Sequence, residues 1–257
     1  SDFNITVKVK GLPLKEILLT DFYGTRNSII DTAKTDMQGV AVFSLPANQK
    51  SGLYKFVFND EMYLDFIFDK ENVTIETDIH DILGSINVLE SEQNKEYFSF
   101  FKIQSRIKAQ CNSLQSLADA YSPSDPFYSQ IVNEYFIKNK SLDSVIASID
   151  KKFANSIVSH IVRARREIFA PISMAIYERT NYTKAHWFDN INMNDTILFY
   201  SDAITSKTIN YLSLYVSKYY TKDQQLQLFK QAIDTVLLKA SVNRKMYDFI
   251  VDFMMNG

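Results

Sequence analysis

The hydrophobic pattern of the sequence changes its period once, near residue 88, and this change constrains the fold more than any other feature. Before it, apolar side chains such as Ile5, Val7 and Val9 recur at every second position, which is typical of half-buried strands. After it they recur every three to four positions, which is typical of amphipathic helices. The sequence therefore predicts an α+β protein, in which an antiparallel β-sandwich of residues 1–88 precedes a helical domain of residues 89–257.

Short strands are predicted to follow one another through the first domain. Turn residues separate the strands at intervals of about 8–12 residues, which favours a sandwich or barrel. We expect only antiparallel pairs, because no helical stretch lies between the strands to carry a parallel crossover. The predicted strands are 3–9, 17–23, 29–35, 40–44, 53–58, 63–68 and 73–77.

The second domain is predicted to contain about seven helices, and three of them have clear start signals. Asp125 precedes Pro126, which is a favoured residue at the first helical position. Thr221 and Gln224 have the spacing of a capping box, and Asn243 precedes the last apolar face. The predicted helical segments are 97–118, 126–136, 142–149, 153–168, 204–219, 221–240 and 243–254, with an irregular stretch at 181–196.

Charge and hydropathy point away from two classes of partner. The formal net charge of −2 gives no overall attraction to nucleic acid or to an anionic membrane, and no apolar run is long enough for a transmembrane segment. Arg163, Arg165 and Arg166 form a short basic cluster. We expect a solvated helix face in which Arg163 pairs with Glu167 one turn later, and docking to an acidic domain surface is the alternative.

The residue types that usually carry chemistry are sparse. Cys111 is the single cysteine, which excludes a Cys-x-x-Cys pair within this chain, and its register places it on the apolar face of a helix. His80, His160 and His186 are far apart, and none has a second histidine or cysteine at metal-ligand spacing. Glycine-rich phosphate loops are absent. We therefore predict no catalytic, cofactor-binding or metal-binding residue.

Two sets of residues remain open to a functional interpretation. Asp189, Asp195 and Asp202 are close in sequence and could form a carboxylate site, but Asp195 and Asp202 precede helix starts, where N-capping also explains them. The second set is a group of tyrosines, for which packing is the alternative to an interaction surface. The tyrosines of this predicted interaction surface are Tyr211, Tyr215, Tyr219 and Tyr220.

Two stretches of the sequence resemble a known family. In the first domain, a turn from Asp36 to Gly39 precedes a strand, and Gly84-Ser85 leads into a helix that carries Tyr97 and Phe98. In the second, Trp187-Phe-Asp-Asn190 lies in a helical spacer. This arrangement is similar to the small β domain and spacer that precede the thioredoxin-like domain in cell-envelope thiol-disulfide oxidoreductases of the TlpA type.

The resemblance implies a role without implying a catalytic residue. The Cys-x-x-Cys of that family matches no position in this sequence, so no active cysteine is transferred to it. The resemblance implies a thioredoxin-like domain beyond Gly257, a periplasmic or cell-envelope location and a lipid anchor before Ser1. This region would then position the redox domain or bind its protein client. A stand-alone cell-envelope binding or adhesion module is the alternative.

Overall fold

A computed structural model describes residues 2–256, in which strands come first and helices second. The predicted α+β fold is therefore confirmed. The strands are β1 Phe3–Lys10, β2 Glu16–Asp21, β3 Ile29–Lys34, β4 Val40–Leu45, β5 Gly52–Val57, β6 Tyr63–Phe68, β7 Val73–Asp78 and β8 Asn87–Glu90. The helices are α1 Glu92–Ala120, α2 Pro126–Lys152, α3 Ile157–Ala164, α4 Ile176–His186, α5 Ala203–Ser213, α6 Lys222–Ala240 and α7 Arg244–Asn256, with a 3-10 helix at Thr196–Tyr200 between α4 and α5.

The strands form two four-stranded sheets that pack face to face. The sheet orders are β4-β1-β7-β8 and β3-β2-β5-β6. Alternate side chains of both sheets point inward, as the period of two predicts, and Val7 from one sheet joins Leu19 and Phe56 from the other in a common core. Phe56 stacks on Phe66 with ring centroids 4.3 Å apart. The apolar alternation therefore builds the interior of the sandwich.

One strand pair departs from the antiparallel expectation. β1 pairs with β4 in the antiparallel sense but with β7 in the parallel sense, in a register that places Ile5 beside Val73. No helix carries this crossover, because the intervening chain builds strands of the second sheet before it returns. Parallel pairing requires a long connection but not a helical one.

In the second sheet, β5 and β6 are covered on both faces, and this joins the strands to the helices. Leu53 of β5 and Ile67 of β6 point away from the sandwich interior and belong to the helical core, together with Phe22. β5 and β6 are therefore almost continuously buried. A sheet with two covered faces loses the clean alternation of a solvent-facing sheet.

α1 and α2 pack side by side, and α1 contacts β6 of this sheet. One predicted boundary of α2 is confirmed, and another is wrong. The start at Asp125 is confirmed by a 2.8 Å hydrogen bond from the backbone N–H of Phe127 to the Asp125 carboxylate. The division between segments 126–136 and 142–149 was wrong. α2 is continuous, because Ile131, Tyr135 and Leu142 lie on one buried face without an interruption.

Two other helical expectations also need correction. α4 occupies part of the stretch expected to be irregular, and only Arg179 on it is buried, so the sequence shows no apolar stripe there. α5 ends at Ser213, earlier than the expected 204–219 segment. Within residues 2–256, no helix is both long enough and apolar enough to cross a membrane.

Candidate functional site

The sandwich and the helices meet where two glycines allow close backbone approach. The N–H of Gly24 donates to the carbonyl of Phe199 at 2.9 Å, and a Cβ atom on Gly24 would lie 2.9 Å from the Phe249 ring. A Cβ atom on Gly52, at the start of β5, would lie 2.7 Å from the carbonyl oxygen of Tyr200. The 3-10 helix is thus in direct contact with the second sheet.

An aromatic cluster fills this junction. The Tyr23 ring packs edge-on against Phe249 and Tyr200, with centroid distances of 5.3 and 5.7 Å. Phe199 and Phe249 are stacked, with centroids 4.2 Å apart. Tyr23 remains 41% exposed, so the cluster is covered on the helical side and open to solvent on the other. It forms the apolar wall of a cleft.

The cleft has a volume of about 920 Å³ and is lined by both halves of the chain. The sandwich contributes residues that follow β2, precede β5 and follow β6, and the helical region contributes the 3-10 helix, the start of α3 and one side of α7. Its charged lining residues are Arg26, Lys50, Asp69, Lys245, Asp248 and Asp252. A cleft of this size that combines aromatic, aliphatic and both kinds of charged side chain is suited to binding.

Several of these charges are fixed by neighbours and stiffen the cleft. Asp69 accepts from the backbone N–H of Ile157 at 3.1 Å and from Gln93 at 3.2 Å, and so ties the sandwich to the first turn of α3. Arg26 pairs with Asp252 at 2.6 Å across the cleft. These contacts hold the two sides of the cleft in register.

Two lysines give the cleft its available positive charge. The Lys50 ammonium lies 3.8 Å from the centroid of the Tyr200 ring and donates to the Tyr200 hydroxyl at 2.6 Å. The Lys245 side chain makes no ion pair with any residue in the described range 2–256. Ile197 adds an exposed aliphatic side chain beside them. A ligand with an acidic and an apolar group would find a partner for each.

The structure does not bring the four predicted tyrosines together on one surface. Tyr211 is only 2% exposed and packs on Phe188 with a centroid distance of 5.0 Å. Its hydroxyl lies 2.8 Å from that of half-buried Tyr215, and burial raises the pKa of Tyr215. Tyr219 and Tyr220 are exposed. Packing therefore explains Tyr211, and its inclusion in the predicted interaction surface was wrong.

Cys111 lies where its register predicts. It is buried, and burial raises the pKa of its thiol, with Lys138 and Arg166 acting in the opposite direction. A raised pKa disfavours the reactive thiolate. The position of Cys111 is therefore that of a packing residue.

The histidines are separated in space as well as in sequence. His160 Nδ1 lies 2.5 Å from Asp195 Oδ2, and His160 Nε2 is buried without a hydrogen-bond partner in the part of the chain described. His186 pairs with Asp189 at 2.6 Å, and the backbone N–H of His80 donates to Asp78 at 3.0 Å. Among residues 2–256, no three histidine, cysteine or acidic side chains form a metal-binding group.

The predicted solvated helix face holds only for Arg163, which lies on α3 with its side chain 46% exposed. Arg163 pairs with Asp150 at 3.5 Å and Arg166 with Asp143 at 2.8 Å, and Arg165 pairs with Asp202. The expected pair between Arg163 and Glu167 does not form, because α3 ends at Ala164 and Glu167 turns toward Lys108. The cluster joins α3 to its neighbours.

The three aspartates do not share a site. Asp195 accepts from the backbone N–H of Ile197 at 3.2 Å, which is the expected cap of the 3-10 helix. Asp202 stands at the N-cap position of α5, but its carboxylate binds Arg165 and Ser206 rather than a backbone N–H. Asp189 binds His186. Each carboxylate therefore has a separate partner.

The residues that line the cleft were not predicted from the sequence. They come from widely separated segments, and each segment contributes only one to four side chains. The available signal was local: Tyr23-Gly24 and Lys50-Ser-Gly52 place glycine beside an aromatic or basic residue at a turn. In the comparisons, no protein-family model matches this chain, and no curated protein matches it either.

Proposed function

We propose that this chain is a non-catalytic region of a cell-envelope thiol-disulfide oxidoreductase, and that its junction cleft binds a segment of that enzyme's protein client. The observation that carries the binding role is the cleft itself, which both halves of the chain line. The association with a redox enzyme of the periplasm rests on the family resemblance of residues 36–39, 84–98 and 187–190.

The chemistry of the cleft favours a polypeptide segment over a uniformly charged ligand. Its carboxylates and cations are similar in number, and Tyr23, Tyr200 and Ile197 supply apolar surface between them. A peptide carries a backbone, apolar side chains and charges of both signs, so it can satisfy all three kinds of group. Aromatic side chains give large contact area at a low entropic cost, which suits such recognition.

The framework of the cleft supports binding without large rearrangement. Asp69 joins β6 to α3, Arg26 joins the β2–β3 connection to α7, and the stacked pair Phe199 and Phe249 lies behind them. A preformed cleft avoids the ordering cost that weakens flexible sites. Client segments would enter as extended chain along the open side, near Lys50 and Lys245.

Binding to an unfolded, alkylated model protein, measured by fluorescence anisotropy, tests the proposed role. Ile197→Asp and Lys245→Glu are expected to weaken binding about tenfold, since each removes a contact inside the cleft. The matched controls are Ile176→Asp and Lys222→Glu, which change exposed residues outside it. Equal losses in the cleft variants and the controls would remove the cleft from the proposal.

The coding sequence beyond codon 257 tests the association with a redox enzyme. A thioredoxin-like domain with Cys-x-x-Cys is expected there, with a secretion signal or a lipid-anchor signal before Ser1. A reading frame that stops near Gly257 would favour the stand-alone cell-envelope binding module instead. The binding experiment and this one fail independently of each other.

A further inference from the structure

A second pocket lies away from the junction cleft, enclosed by α1, the end of α3, Trp187 and α5. Its volume is about 310 Å³, which is the size of a site for a small molecule. Phe101 and Trp187 form its aromatic walls. Its charged lining residues are Lys108, Arg165, Arg166, Glu167 and Lys207.

Lys207 is the side chain that distinguishes this pocket. Its ammonium lies 4.4 Å from the centroid of the Trp187 ring, and the Trp187 indole N–H donates to the Lys207 carbonyl at 2.9 Å. The ammonium makes no hydrogen bond and no ion pair with any residue between 2 and 256. Burial lowers the pKa of Lys207 to about 8, against the opposing influence of Glu167 and Asp189.

The other cations of the pocket are already paired. Lys108 pairs with Glu167 at 2.8 Å, and Arg166 pairs with Asp143 at 2.8 Å. The Glu167 carboxylate, which is the acidic group among the lining residues, is thus held by Lys108 and forms no ion pair with Lys207.

Arg165 adds positive charge to the wall of the pocket. One of its terminal nitrogens pairs with Asp202, and its Nε–H is closed off from solvent, so a ligand in the pocket does not reach it. Lys207 is therefore the lining cation that has no ion-pair partner among residues 2–256.

We propose that this pocket binds a small organic oxyanion, a carboxylate or a phosphate ester, at the ammonium of Lys207. Charged oxygens form strong hydrogen bonds with an ammonium. Phe101 and Trp187 would cover the apolar part of the ligand. The site is separate from the junction cleft and does not depend on the client-binding role.

The single tryptophan of the chain makes the test direct. Trp187 is the one Trp, so its fluorescence reports on this pocket alone. Sodium phosphate and sodium acetate are the probes, and sodium chloride at equal ionic strength is the control. A saturable change in emission with phosphate or acetate, and none with chloride, is expected near neutral pH. The anion that gives the response identifies the ligand class.

Substitutions then separate site binding from general charge effects. Lys207→Gln is expected to weaken anion binding about tenfold or more, because it removes a charge-assisted contact. Lys222→Gln removes an exposed lysine of α6 and is expected to leave the affinity unchanged. Lys207→Arg keeps the charge and is expected to retain binding, which guards against a loss caused by misfolding.

Phosphate line broadening in ³¹P NMR provides a readout that does not depend on the tryptophan. Binding is expected to weaken above about pH 8, where Lys207 loses its proton. Three results would each overturn the proposal: an equal response to chloride, no saturable response to either anion, or unchanged affinity in Lys207→Gln.

Discussion

β6 meets the helical region at Ile67 and at Asp65, and these two contacts differ in their hydrogen bonding. At Ile67, the Asn94 side chain of α1 accepts from the backbone N–H at 2.7 Å and donates to the backbone carbonyl at 2.8 Å. At Asp65, one carboxylate oxygen is buried without a partner, and the Nε–H of Arg165, a nearby charge, also lacks an acceptor. One contact is fully hydrogen-bonded, and the other is not.

The two contacts therefore contribute differently to the stability of the fold. β6 is an edge strand, and the Asn94 amide takes the place that a further strand would occupy, so it also protects the edge from pairing with another chain. Asp65 faces Lys55 across the sheet, but burial raises the pKa of its carboxyl to about 6 in spite of Lys55 and Arg165. The Asn94 contact stabilises the junction at every pH, whereas the Asp65 contact depends on protonation.

The largest effect is expected from Asn94→Ala. The substitution leaves the N–H and carbonyl of Ile67 buried without partners, and each unpaired group costs about 1–3 kcal/mol. We expect a loss of about 4 kcal/mol in the free energy of unfolding, measured by urea denaturation. Asn112→Ala, at an exposed position of the same helix, is the matched control, with an expected change within about 0.5 kcal/mol. Similar losses in both variants would contradict the role of Asn94.

Asp65→Asn is expected to increase the free energy of unfolding, whereas Asn94→Ala decreases it. The pKa of Asp65 is raised from 3.8 to about 6 on folding, so the folded state holds more protons than the unfolded state between these values. Stability is therefore lost as pH rises through this window. Asp65→Asn should gain up to about 3 kcal/mol at pH 7.5, and about a third of that near pH 4.5.

Urea denaturation at both pH values checks this difference. Asp60→Asn, in the exposed turn before β6, is the control and should show no pH-dependent gain. A gain in Asp65→Asn that is the same at both pH values would mean that protonation of Asp65 does not limit stability. The contrast with Asn94 would then be one of packing alone.

Gly52→Ala tests a third contact, between β5 and the 3-10 helix, which depends on close packing rather than on hydrogen bonding. The added Cβ atom would lie 2.7 Å from the Tyr200 carbonyl oxygen, so β5 and the 3-10 helix must separate slightly. We expect a loss of about 1–3 kcal/mol, the usual cost of overpacking. Thermal unfolding measures it, and Ser51→Ala is the neighbouring control. An unchanged melting temperature would show that β5 and the 3-10 helix can separate at little cost in stability.

The smallest effect is expected at the exposed ion pair. Arg26 and Asp252 are about half exposed and lie 2.6 Å apart. Exposed ion pairs contribute about 0.2–1 kcal/mol. A double-mutant cycle of Arg26→Ala and Asp252→Ala should give a coupling energy in that range, which falls further at high salt. A coupling energy above about 2 kcal/mol would mean that this pair, like Asn94, contributes strongly to the stability of the contact between the strands and the helices.

Local features of the fold could be predicted from the sequence, because neighbouring residues determine them. Thr221 and Gln224 form the expected reciprocal cap, and Ile5, Val7 and Val9 alternate as expected. α4 was not predicted, since its buried contacts come from Arg179, which makes a charged contact with Asp119. The apolar period reveals a helix with a buried apolar face, but it does not reveal a helix whose buried contact is an ion pair.

The candidate sites depended on contacts that no local pattern specifies. The cleft combines Tyr23, Lys50, Ile197 and Lys245 only after the sheet and the helices have packed. The low pKa of Lys207 likewise results from burial on Trp187, and no sequence neighbour indicates it. Sequence predicted the elements, whereas packing determined the sites.

The parallel pairing of β1 has a consequence for how the chain folds. β1 lies between β4 and β7 in its sheet, so it cannot complete its hydrogen bonds until β7 has been synthesised. Such long-range pairing slows folding, because the loop-closure entropy is lost before the contacts form. A fragment that ends before Val73 would leave one side of β1 open, and an open strand edge invites association with other chains. A chain synthesised only as far as β6 therefore exposes one edge of β1, and we expect association between chains to begin there.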